Sequence, residues 1–180
     1  MSNSSLHPRI AEVIAALTEG QAALEAIVSS LTAEQAAARM GAGWTVAQIV
    51  EHLAVVEDGS GRVVSNLIKA AAGTTEHDET PVAPTLDRFR IPDATGHRIE
   101  APEMVAPREG LPLETSMARL REARARLIAA FERGAGLALG TATLSHPALG
   151  PLSAYQWGHF VAQHQQRHLT QIRTILAVPS

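Results

Sequence analysis

His164 and His168 stand four residues apart near the C-terminus, and His52 lies far upstream in another segment. On a helix, residues four apart project from one face one turn apart, so His164 and His168 can offer two imidazoles to a single point. Two ligands that arrive already oriented are a common way for a helix to hold a divalent metal. Such a pair on an alanine-rich helix is a weak signal alone, and its neighbours sharpen it. Trp157, Val161, His164, His168, Ile172 and Ile175 step by three or four residues, so the pair occupies a stripe that should be core. His52 shares a face with Ile49 and Val56 in the same way. Three imidazoles brought together would repel one another if protonated and leave acceptor nitrogens unpaired if neutral, and a metal ion relieves both conditions.

Four periodic segments are available to position these residues. The first runs from about Leu6 to Leu31, and a short turn follows it at Thr32-Ala-Glu-Gln35, which reads as a capping box. The second opens on a capping box at Thr45-Val-Ala-Gln48 and continues to about Ala72. The third spans Leu113 to Arg133 and stops at Gly134 and Gly136. The fourth follows Pro151, opens on Ser153-Ala-Tyr-Gln156 and runs to about Leu176. Between the second and third lies a 73–112 crossover holding six of the ten prolines, with Phe89, Ile91 and Met104 able to pack. The expected architecture is all-α: one 1–180 domain, a four-helix bundle with a long crossover.

Composition bounds the function classes. The 180 residues are 46% hydrophobic, 18% charged and only 3% aromatic, enough for one well-buried core. A formal charge of -3 gives no basic footprint, so nucleic acid is not an expected partner. No apolar run reaches the roughly 18 residues of a membrane span. The polar Met1–Ser5 start has no secretory pattern, and a cytoplasmic location without membrane association is expected. Cysteine is absent, which excludes thiolate nucleophiles and Cys-based metal sites. No Gly-rich phosphate loop or Ser-His-Asp arrangement is evident.

The segment from Trp44 to His52, the segment His146-Pro-Ala-Leu-Gly-Pro-Leu-Ser-Ala-Tyr-Gln-Trp157, and His164-Gln-Gln-Arg-His168-Leu-Thr-Gln171 together resemble the DinB-like superfamily. The resemblance covers nearly the whole chain. It implies an up-down-down-up bundle, often a homodimer, with a metal held by one histidine of the second helix and two of the fourth, here His52, His164 and His168. It further implies a divalent-metal-dependent enzyme acting on a small-molecule substrate, either a hydrolase or a transferase or isomerase using a low-molecular-weight thiol. Any thiol must come from outside, since the chain has none. Neutral nitrogen ligands suit Zn, Ni or Fe(II) alike. The alternative from another class is a non-catalytic bundle with a structural or vestigial metal site.

The remaining polar residues read more plainly. His159 sits about 140° around the helix from His164 and should miss the metal, as a surface or helix-interface residue. His146 is a turn residue or lines the pocket, and His7, His77 and His97 are expected in solvent. Gln171 is either an acceptor for a ligating imidazole or a packing residue. Glu51 should point away from the site and Glu57 into solvent, as should the arginine run Arg119, Arg121, Arg124 and Arg126. No general base is assigned.

Overall fold

The computed structural model describes residues 6–72, 101–108 and 110–177. Four long helices carry the fold: α1 (Pro8–Val28), α3 (Val46–Ala72), α4 (Leu113–Arg133) and α5 (Ala154–Leu176). A five-residue helix, α2 (Ala33–Ala37), lies between the first two. The three capping boxes form: Thr32 with Gln35, Thr45 with Gln48, and Ser153 with Gln156 each exchange side chain-to-backbone hydrogen bonds in both directions. Each satisfies two of the backbone N–H groups that a helix start leaves without partners. α4 has the bounds its periodicity predicts.

Side-chain pairings fix the directions. Glu57 meets Arg124, and Ile68 lies against Gly134, so α3 and α4 run parallel. Val13 faces Gly158 and Gly20 faces Gln165, so α1 and α5 are parallel too. Glu25 pairs with Arg121 while the Leu17 carbonyl meets Arg124, which makes α1 antiparallel to α4. The result is an up-down-down-up four-helix bundle. Parallel neighbours consecutive in the chain need a return of a full helix length, and 40 residues of sequence separate Ala72 from Leu113. Phe89 and Ile91, together with His77 and His97, lie outside the described residues; Met104 is 74% exposed. The described end of the crossover forms a 3-10 turn at Glu103–Val105. No helix among the described residues is long and apolar enough to cross a membrane.

The all-α expectation omits one element. A hairpin of β1 (Thr143–His146) and β2 (Gly150–Ser153) precedes α5, pairing Thr143 with Ser153 and His146 with Gly150. Gly150, at φ +74°, closes the three-residue turn in a conformation that favours glycine. Trp157 Nε1–H of α5 donates to the Leu144 carbonyl at 3.3 Å and ties the hairpin to the bundle.

The core has two apolar clusters. One gathers Ile10, Val13, Leu17, Val64, Leu127, Phe131 and Tyr155; the other gathers Leu24, Ile49, Leu53, Leu120, Leu169 and Ile172. Between them on all four helices lies a polar layer. Arg124, its side chain 3% exposed, bonds Glu57 of α3, the Leu17 carbonyl of α1 and Gln165 of α5. Gln165 Nε2 in turn donates to the Gly20 carbonyl at 3.0 Å. This corrects the expectation of solvent for Glu57 and Arg124: both are buried and paired. Arg121 and Arg126 do remain on the exposed face. Burial alone pushes the Glu57 carboxyl up, and Arg124 opposes it.

Candidate metal centre

His52 projects from α3, and His164 and His168 project from successive turns of α5, so two antiparallel helices bring three imidazoles together. His52 Nε2 lies 3.3 Å from His164 Nε2, and His168 Nε2 lies 3.2 Å from the same atom. One nitrogen of each ring falls within 4.8 Å of the others. His52 and His168 are buried, and His164 is half-buried. His159 is absent from the cluster, as its angle around the helix requires; it is fully buried against α1.

Two ring orientations are fixed from behind. His52 Nδ1 donates to the Val105 carbonyl oxygen at 2.7 Å. His168 Nδ1 donates to Gln171 Oε1 at 2.8 Å, so Gln171 is the acceptor for a site imidazole. A neutral ring that donates through Nδ1 carries its lone pair on Nε2. Both lone pairs therefore face His164 Nε2, which has at most one proton to give. At least one close nitrogen pair is left without a hydrogen, and a cation between the three nitrogens removes that conflict. The donor set and its backing fit a divalent metal.

The electrostatics agree. Burial pushes His164 down to about 2, helped by His168, His52 and Arg167. His168 falls to about 4, through burial and then His52, with Gln171 opposing. His52 is lowered by burial, and its bond to Val105 opposes that. The rings are thus neutral at pH 7, the form that coordinates metal.

Aromatic rings wall the cluster. Trp44 packs on His52 at 4.8 Å between centroids, and Phe160 stacks on His164 at 5.4 Å. His146 packs on the Phe160 ring at 4.6 Å, and its Nδ1 accepts from Ala148 N–H at 3.1 Å within the hairpin turn. His7 also has a structural task, accepting from Arg9 N–H at the start of α1. Two surface hollows, of about 600 and 1170 Å3, are lined by none of the three histidines: one lies over α3 and α4 against Glu51 and Val105, and one beside α2. Sequence reasoning missed Val105, whose contribution is a backbone carbonyl and leaves no side-chain signal. It also missed what Glu51 does: the carboxylate points away from the cluster, yet it is buried and accepts from backbone N–H groups of the crossover.

This fold and site define a histidine-bearing helical bundle, and comparison with known proteins gives its family. The profile of the DinB superfamily matches residues 16–172, and the chain belongs to that superfamily. It is similar to the uncharacterized protein YuaE of Bacillus subtilis (strain 168), with 25% identity over 137 residues, 73% of this chain and 76% of that one. The crystal structure of TT2238, a four-helix bundle protein, shares the fold with a TM-score of 0.63 and 23% identity, covering 92% of this chain and 98% of TT2238.

Proposed function

We propose that this protein is a divalent-metal-dependent enzyme acting on a small molecule, with His52, His164 and His168 as the metal ligands. The observation that supports it best is the convergence of three Nε2 atoms, two of them aimed by hydrogen bonds at the opposite ring nitrogen. Three protein ligands leave room for water or substrate, the pattern of catalytic rather than structural sites. A Zn, Ni or Fe(II) ion there supplies Lewis acidity and lowers the pKa of a bound water or thiol. The chain's own residues do the rest. Val105 and Gln171 hold the His52 and His168 rings in one orientation, and Trp44 and Phe160 pack on the His52 and His164 rings.

Within this reading a thiol-dependent transferase or isomerase and a hydrolase both stand, and the absence of cysteine means that any thiol arrives as a low-molecular-weight co-substrate. The test is elemental analysis of protein purified without added metal, followed by transfer and hydrolysis assays with and without added thiol. Wild type should carry close to one equivalent of metal, and His164→Ala should lose metal and turnover together. A His164→Ala protein with full metal content and full activity defeats the assignment. Turnover that requires added thiol selects the transferase or isomerase, and turnover that ignores it selects the hydrolase.

A further inference from the structure

Glu51 precedes a proposed ligand by one residue, which on a helix turns its side chain about 100° away from that ligand. Glu51 is 3% exposed. Oε1 accepts from Arg108 N–H at 2.8 Å and Oε2 from Leu111 N–H at 3.3 Å, so both oxygens grip the end of the crossover. The crossover is closed on itself just before that grip. The Glu103 carbonyl accepts from Ala106 N–H at 3.3 Å and from Arg108 Nη2 at 2.7 Å. Val105 sits inside this closed turn, and its carbonyl meets His52 Nδ1 at 2.7 Å. Adjacent residues of α3 therefore hold the same strap at two points, one through a carboxylate and one through an imidazole.

We propose that Glu51 is a positioning residue for the triad: it clamps the strap so that the Val105 carbonyl holds the His52 ring and aims Nε2 at His164 and His168. A carboxylate accepting two backbone N–H groups is a strong, directional anchor. Only Ala106 and Pro107 separate Arg108 from Val105, so the anchor leaves the carbonyl little freedom to move. Without it, the strap loses its carboxylate anchor to α3, and His52 Nδ1 loses a fixed acceptor. Second partners of this kind are worth 10–100-fold in metal affinity. The functional meaning of the clamp rests on the metal reading above; the clamp itself does not.

The experiment therefore has a metal-free arm. In 15N-histidine-labelled apoprotein, the imidazole N–H signals of His52 and His168 are assigned with single His→Gln variants, and their exchange with water is measured. Glu51→Ala should speed exchange at His52 at least tenfold and leave His168 unchanged, while helical circular dichroism stays native. Zn2+ affinity by competition with a chelator should fall about 10–100-fold. Glu51→Gln, which keeps one acceptor oxygen, should fall between wild type and Glu51→Ala in both readouts, and it carries the test if the alanine variant fails to fold. Unchanged His52 exchange in a folded Glu51 variant overturns the clamp, and so does equal loss of protection at His52 and His168. A wild type that binds no Zn2+, Ni2+ or Fe2+ overturns the metal reading and leaves the His52 exchange result to decide the clamp.

Discussion

His52 and His164, 112 residues apart in the chain, bring their Nε2 atoms to 3.3 Å across two antiparallel helices. Both rings are neutral at pH 7, so the contact has at most one hydrogen available, and His168 competes for it at 3.2 Å. The arrangement stabilises little by itself, and a cation shared by the three rings as proposed would relieve it, so binding should be visible as a gain in stability.

A ligand present at one hundred times its dissociation constant stabilises the folded state by about 2.7 kcal/mol. Excess Zn2+ or Ni2+ should therefore raise the melting temperature of metal-free wild type by several degrees, reversibly with a chelator. His52→Ala, His164→Ala and His168→Ala should each show no such rise in differential scanning calorimetry. A full shift in any of the three removes that residue from the ligand set.

Gln171 holds the back of the His168 ring, 2.8 Å from Nδ1. Gln171→Ala should lower metal affinity about 10–100-fold, the usual effect of losing such a partner, while Gln171→Glu preserves it. The two variants should melt alike without metal. Isothermal titration with Zn2+ separates them.

The Arg124–Glu57 pair is sealed between two apolar clusters, each side chain 3% exposed. Removing one partner strands the other charge, which costs about 3–5 kcal/mol, whereas replacing both with apolar side chains is near neutral. Arg124→Met should be strongly destabilised in urea titrations, and Arg124→Met with Glu57→Leu should recover most of the loss. Gln165 and the Leu17 carbonyl keep unmet hydrogen bonds in the double variant, so recovery stops short of wild type.

His159 sets an acid limit on stability. Burial pushes it to about 4 from 6.5, with Glu12 opposing and Arg9 assisting. Between those values the unfolded chain binds the proton and the folded chain does not, so stability is full above pH 6.5 and falls as pH drops toward 4. At pH 5 that amounts to about 2 kcal/mol, from 1.36 kcal/mol per unit. His159→Leu should match or lag wild type at pH 7 and show a shallower decline to pH 5 in paired urea titrations. An unchanged slope means His159 carries no share of it.

Much of this was legible from local patterns. Capping boxes at Thr32, Thr45 and Ser153 give the helix starts because their hydrogen bonds span only three residues. The triad emerges from histidines placed on apolar stripes, a pattern that depends only on helical period. Glu57 and Arg124 were misread because each lies among other charges and looks solvated until its partner, 67 residues away, is located. The hairpin and the Val105 carbonyl were invisible for a related reason: one is a short pairing before a strong helix signal, and the other is backbone.

The polar layer has a mechanical consequence for the site. Apolar clusters resist sliding only weakly, because dispersion and hydrophobic burial have little directionality. A guanidinium with fixed donors reaching α1, α3 and α5 at once does not tolerate sliding. A slip of one residue along α5 moves His164 about 1.5 Å and turns it about 100°, enough to dismantle the cluster. Gln165, next to His164, is pinned by Arg124 and by Gly20, so the layer acts as a dowel that sets the axial registration of the helices carrying the three histidines.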